Sequence, residues 1–185
     1  TSAGVCEGAG VAASKLGKII GVAKAYSTRV GEGPFVTELL GDEGEALRQK
    51  GFEFGATTGR PRRCGWLDLP VVKQAVRING LTDIAMTKID ILTGYDKIPV
   101  CVGYELDGKQ IDYVPASLEV YGRCKPVWKV FDGWTEDISQ IRNYEDLPEN
   151  CRKYVEFVEE YTKTSVSLVS VSPEREGNII RKPLI

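Results

Sequence analysis

Residues 67 to 90, L-D-L-P-V-V-K-Q-A-V-R-I-N-G-L-T-D-I-A-M-T-K-I-D, spell out a helix with both ends marked and a strand directly behind it. Asp68 suits the N-cap because its carboxylate can accept a free N–H of the first turn, where Pro70 has no donor to lose. Val71, Val72, Ala75 and Val76 recur at helical spacing and predict one buried face. Asn79-Gly80 supplies the stop, since Gly enters the left-handed conformation that closes a helix. L-T-D-I-A-M-T then predicts a buried strand ending at Lys88-Ile89-Asp90. A helix that feeds straight into an apolar strand is an α/β unit, and it excludes an all-helical or all-strand chain.

The flanking sequence extends this reading. The first ten residues hold three glycines and predict a turning loop. Ser14 then caps a predicted helix carrying Leu16, Ile19, Ile20, Ala23 and Tyr26 at helical spacing. Gly17 and Gly21, four apart on it, suggest close approach by another backbone. G-E-G-P at 31–34 breaks the pattern, and residues 42–50 predict a short exposed helix. Further on, I-P-V-C-V-G-Y-E-L and K-Q-I-D-Y-V flank Asp107-Gly108, a dipeptide favoured in tight hairpins. K-P-V-W-K-V-F at 125–131 predicts a third strand. Pro148 opens a helix with Tyr154, Val155, Phe157, Val158 and Tyr161 inward, and S-V-S-L-V-S-V-S-P follows as a strand. The expected fold is mixed α/β with an antiparallel hairpin insert, in one piece without a dividing linker.

Composition bounds the chemistry. Among 185 residues there is no His, so no Ser-His-Asp or Cys-His pair and no His-ligated metal site can form from this chain. An imidazole needed for catalysis would lie outside these residues. The 24 basic and 26 acidic residues leave a net charge of -2, which argues against a whole-surface nucleic-acid binder. Five cysteines without a CxxC pair fit neither a zinc site nor a disulfide framework, and favour a reducing cytoplasmic compartment. No apolar run reaches the roughly 18 residues of a membrane helix. The chain begins Thr1-Ser2-Ala3 and its only Met is Met86, so a piece of a longer protein is expected.

Two constellations carry chemistry. In G-A-T-T-G-R-P-R-R-C-G, from Gly55 to Gly65, Arg60, Arg62 and Arg63 place three permanent charges within four residues. Guanidinium forks meet carboxylates and phosphates with two donors each, and Thr57, Thr58 and Gly59 add hydroxyls and an open backbone N–H. The same composition also suits a solvated basic loop paired with surface acids. The second is Thr87-Lys88-Ile89-Asp90 at a strand end. A carboxylate there can accept both N1–H and N2–H of guanine, whereas adenine offers the wrong pattern. The Lys stem can lie over the purine face. Ligands of open α/β sheets bind beyond the carboxyl ends of strands, where this motif falls. Ser170, Val171 and Ser172 close another strand and suit either a ligand contact or an ordinary turn. Trp66, Trp128 and Trp134 read as core or core-edge rather than stacking platforms, and no cysteine has an activating neighbour. These features fit an enzyme or a non-catalytic guanine-nucleotide and anion-binding module. A basic loop for RNA contact is a third, more distant reading.

Beyond single motifs, A-Y-S-T-R-V-G-E-G-P-F at 25–35, F-G-A-T-T-G-R-P-R-R-C-G-W-L-D at 54–68, T-K-I-D-I-L at 87–92, D-G-W at 132–134 and the L-P…Y…F-V-E-E helix at 147–160 occur in a shared order. Together they resemble the C-terminal part of adenylosuccinate synthetase over essentially the whole chain. The resemblance implies part of a large, mainly parallel sheet flanked by helices and related to P-loop nucleotide hydrolases. It implies a magnesium-dependent, homodimeric ligase that joins L-aspartate to IMP using GTP, through 6-phosphoryl-IMP. Ala56, Thr57, Thr58, Gly59, Arg60, Pro61 and Arg62 would form the aspartate loop. Arg60 and Val30 would also reach IMP. Arg62, Lys88, Ile89, Asp90, Ser170, Val171 and Ser172 would contact GTP, with Ser172 standing where the family often has Gly. The family's phosphate-cradling segment, catalytic Asp and His, and most magnesium contacts belong to an N-terminal half not represented here. No catalytic or metal residue is therefore expected in this chain.

Overall fold

The computed structural model describes residues 1–184. The marked helix forms as its ends dictate: α3 spans Leu69–Asn79, the Asp68 carboxylate accepts from Val71 N–H, and Gly80 closes it at φ 61°. Its apolar face is only partly covered. Val72 and Val76 pack on the core, whereas Val71 and Ile78 stay exposed. Strand β5, Asp83–Thr87, follows directly and is buried along most of its length.

The sheet around β5 contains the first departure from the sequence reading. Residues 14–26 do not form a helix. A short 3-10 turn at Ala13–Lys15 leads into strand β1, Ile20–Lys24, which pairs parallel with β5 from Ile20↔Asp83 to Lys24↔Thr87. Its apolar positions keep helical spacing only over a short run interrupted by glycines, so non-local pairing with β5 decides the outcome. Gly21 is where the Leu81 side chain lies, and a Cβ there would clash with it; Gly17 has open space around it. Side-chain packing, rather than a neighbouring backbone, therefore explains one glycine and nothing close explains the other. The predicted N-terminal loop is also a helix, α1 at Ser2–Ala9, closed by Gly10 at φ 64°.

On the other side of β5 lies parallel β9, Ser165–Ser170, edged by antiparallel β10, Asn178–Ile180. The order is β1-β5-β9-β10. Helix α5, Glu149–Thr162, buries Tyr154, Val155 and Val158 and packs on α3 and β9. Helix α2, Gly41–Lys50, is the expected short surface helix.

The hairpin insert is present. Strands β6 (Lys97–Leu106) and β7 (Lys109–Ile111) join through Asp107 at φ 49° and Gly108 at φ 77°, as a two-residue primed turn requires. Strand β8, Lys125–Asp132, runs antiparallel along β6, and β4, Leu67–Asp68, pairs parallel with it. Strands β2 (Ser27–Arg29) and β3 (Arg63–Gly65) form a separate antiparallel pair. Under the hairpin, Asp68 accepts from Tyr104 Oη at 2.6 Å and Tyr121 Oη at 3.2 Å. Tyr121 comes from helix α4, Leu118–Arg123, which the apolar pattern did not announce. Trp66 and Trp134 are buried, whereas Trp128 is 39 % exposed on β8.

The D-G-W segment has a packing reason for its glycine. A Cβ on Gly133 would fall inside the Tyr95 carbonyl, a backbone atom that has no rotamer to escape with. Gly133→Ala in the full-length protein should cost about 1–3 kcal/mol or more, read as a lower melting temperature. An unchanged melt would remove that contact from the account.

Candidate purine-nucleotide and anion site

Strand β5 ends by turning sharply. Lys88 takes the left-handed conformation at φ 60° and starts a 3-10 turn over Ile89–Leu92. This turn sinks Ile89 and Leu92 into the core and leaves Asp90 half-buried at the surface. Lys88 and Asp90 line a cavity of about 490 Å³ beyond the carboxyl ends of β5 and β9. Ser170 and Ser172 line the same cavity, as do Lys50, Phe52, Arg175 and Asn178. The two sequence motifs, some eighty residues apart, thus share one pocket because β5 and β9 are parallel neighbours. No described side chain hydrogen-bonds Asp90. Burial pushes its carboxyl up, against opposing pulls from local backbone N–H groups and from Lys88 and Lys50.

The remaining predicted contacts divide by burial. The Ile89 and Val171 side chains are fully buried, which leaves only their backbones for a ligand. The Ser170 hydroxyl donates to the Ser172 carbonyl at 3.0 Å. The Ser172 hydroxyl packs towards Gly177 without a hydrogen-bond partner. Its side chain is thus turned into the protein, and the Ser172 contribution to the cavity wall does not come from its hydroxyl.

The arginine loop is a surface excursion pinned at its neck. Arg62 N–H donates to the Glu53 carbonyl, and Gly55 N–H to the Arg60 carbonyl, both at 2.9 Å. Gly59 turns at φ 64°, and 56–61 are exposed. The three arginines do not act as one cluster. Arg63 grips Glu38 with two nitrogens and reaches the Gly33 carbonyl, so it fastens the G-E-G-P turn. Arg62 is held on Glu53 at 2.7 Å. Arg60 alone has no side-chain partner among the described residues and faces solvent. Val30 is 77 % exposed just after β2. Neither Val30 nor the loop tip lines the pocket at Lys88.

Glu53 is the residue that the motifs did not disclose. Its side chain is fully buried, yet it accepts from Lys24 at 2.8 Å, Tyr26 at 2.7 Å, Lys88 at 2.8 Å and Arg62 at 2.7 Å. Burial alone would raise its carboxyl; the bonds from Lys24, Lys88, Tyr26 and Arg62 outweigh that and hold it at about 2. The sequence offers no signal for it beyond an acid between Phe52 and Phe54. Glu53 lies inside while its neighbour Phe52 is 84 % exposed.

All five cysteines are free, and burial pushes the Cys101 and Cys151 thiols up to about 12, so neither is an activated nucleophile. The magnesium implied by the resemblance has no ligand set here: no three His, Cys, Asp or Glu side chains come together among the described residues. Among those residues no helix is long and apolar enough to cross a membrane.

Parallel strands β5 and β9 bring Lys88, Asp90, Ser170 and Ser172 to the lining of one cavity at their carboxyl ends, the arrangement of an open α/β sheet. The family model described as adenylosuccinate synthetase matches residues 1–179. The chain belongs to that family. It is 58 % identical over 177 residues to the adenylosuccinate synthetase of Clostridium novyi, covering 96 % of this chain and 42 % of that protein. The Clostridium acetobutylicum counterpart is 54 % identical, with 95 % and 41 % covered. The chain therefore spans about two-fifths of the length of these relatives. Among solved structures, a fully ligated adenylosuccinate synthetase from Plasmodium falciparum superposes at TM-score 0.94 with 42 % identity, covering 97 % of this chain and 43 % of that one. A cyanophage S-2L succinoaminodeoxyadenylate synthetase, at TM-score 0.52 and 13 % identity over 99 % of this chain and 39 % of that one, shares the fold alone.

Proposed function

We propose that this chain is the C-terminal part of an enzyme that joins L-aspartate to IMP at the expense of GTP, giving adenylosuccinate, GDP and phosphate. The observation that carries the reading is the meeting of Lys88, Asp90, Ser170 and Ser172 in one cavity of a chain that belongs to this family. Asp90 accepts N1–H and N2–H of guanine, while the Lys88 stem covers the base. The loop from Ala56 to Arg62 closes on aspartate, with Arg60 and Arg62 meeting its carboxylates. Arg60 also reaches towards IMP beside Val30, and Arg62 towards GTP.

The reaction runs in two steps. The γ-phosphoryl group passes to the 6-oxygen of IMP, and the aspartate amine then displaces it as phosphate. Magnesium, when bound, would offset phosphate charge, and its ligands lie in the N-terminal half. The residues present here select guanine and hold aspartate, and they exchange no proton with the reacting atoms. Partnership with that N-terminal half, a homodimeric assembly and a cytoplasmic setting complete the proposal. The exposed Val22, which lines a groove with exposed Val71 at the open edge of β1, suits burial against the N-terminal half.

Full-length protein supplied with IMP, L-aspartate and GTP should form adenylosuccinate, and the 185-residue chain alone should form none. Failure of the full-length protein overturns the activity and leaves a guanine-nucleotide-binding module. Product from the chain alone overturns its assignment as an inactive part.

A further inference from the structure

Glu53 is buried at the meeting point of elements that the sequence keeps apart. Lys24 ends β1, Tyr26 follows it, Arg62 closes the neck of the arginine loop, and Lys88 leaves β5. Their donors converge on one carboxylate: Oε1 takes Lys24, Tyr26 and Lys88, and Oε2 takes Lys24 and Arg62. Lys88 also donates to the Gly51 carbonyl, which fixes its ammonium from a second side.

Two features separate this arrangement from an ordinary buried ion pair. First, three cations surround a single carboxylate, so two positive charges are left without a counter-ion in the cluster. Second, the carboxylate is sealed while the cations are not. The side chains of Lys24, Arg62 and Lys88 stay 26 %, 31 % and 34 % exposed against 0 % for Glu53. Each cation is therefore fastened at its charged end by a sealed carboxylate, while part of its side chain stays open to solvent. Packing of the fold does not call for such a device, because an apolar cluster of equal volume is commonly as stable as a buried ionic one.

We propose that Glu53 is a positioning residue shared by the nucleotide pocket and the arginine loop: one carboxylate sets Lys88 in the first and Arg62 in the second. This rests on the roles given above to Lys88 and Arg62. Because both cations answer to the same group, loss of that group disturbs two ligands that bind in different places.

The test uses steady-state kinetics of the full-length protein and its variants. Glu53→Gln keeps the shape and removes the charge. It should raise the KM for GTP and the KM for aspartate together, each by about tenfold or more, the loss expected when a charge-assisted hydrogen bond goes. Glu53→Asp keeps the charge but cannot span all four donors, so both KM values should rise by less. A carboxylate of merely structural use would lower the melting temperature and the active fraction while both KM values stay at wild type, and that result overturns the proposal. So does a shift in only one of them. If Glu53→Gln fails to fold, Glu53→Asp carries the same test. Lys88→Ala is the control for the underlying reading: a normal GTP KM there refutes the pocket assignment itself. A raised GTP KM in Lys88→Ala with unaltered Glu53 variants refutes only the positioning role.

Discussion

Replacing Asp90 by Asn in the full-length protein should raise the GTP KM roughly 100-fold and abolish most of the preference for GTP over ATP. A carboxylate offers acceptors to both N1–H and N2–H of guanine, each bond to a charged group being worth about 1.5–3 kcal/mol. Asparagine keeps one acceptor and puts an amide donor against a guanine donor. Loss of one such bond plus a repulsive contact amounts to about two factors of ten at about 1.4 kcal/mol each. Adenine gains, because its neighbouring donor and acceptor match an amide, as they do when Asn reads adenine in DNA. The fold should survive the change: asparagine keeps an acceptor for the local backbone N–H groups, no described side chain hydrogen-bonds Asp90, and buried Ile89 and Leu92 anchor the turn. Steady-state rates with each nucleotide provide the check, and an unchanged GTP-to-ATP ratio would take Asp90 out of base recognition.

Arg60→Leu should act on the other substrate. The aspartate KM is expected to rise by about 100-fold and kcat to fall, with the GTP KM nearly unmoved. A bidentate guanidinium–carboxylate contact combines two charge-assisted bonds with fixed geometry, and leucine supplies neither. The loop's other arginines cannot move into its place, since Glu53 fixes Arg62 at its own position and Glu38 holds Arg63. Arg60 is exposed, so folding should not suffer. Aspartate saturation curves that match wild type would remove Arg60 from the site.

The parts of the fold that were legible in the sequence are those whose boundaries are chemically local. Asp68, Pro70 and Gly80 mark α3, and Asp107-Gly108 marks the hairpin, because caps and primed turns depend on a few adjacent residues. Strand β1 was misread because Leu16, Ile19, Ile20 and Ala23 keep helical spacing, whereas the strand is only Ile20–Lys24 and its deciding partner, β5, is about sixty residues away. Helix α4 hides behind a single buried residue, Tyr121.

The candidate site divides in the same way. T-K-I-D and the late serines could be named from their strand-end positions, and parallel pairing of β5 with β9 brings them into one cavity. Three arginines within four residues, however, read as one anion trap, and tertiary structure gives Arg62 and Arg63 different partners. Glu53 was invisible because nothing local distinguishes a solvated glutamate from a buried one. Only the arrival of Lys24, Tyr26, Arg62 and Lys88 around it reveals its role.

The central claim is that the cavity beyond β5 and β9 reads guanine. Calorimetric titration of the full-length protein with GDP and with ADP tests it most directly. The account predicts that GDP binds at least about 100-fold more tightly, the discrimination expected when a site built for one hydrogen-bond pattern meets its inverse. Equal affinities for GDP and ADP would contradict it.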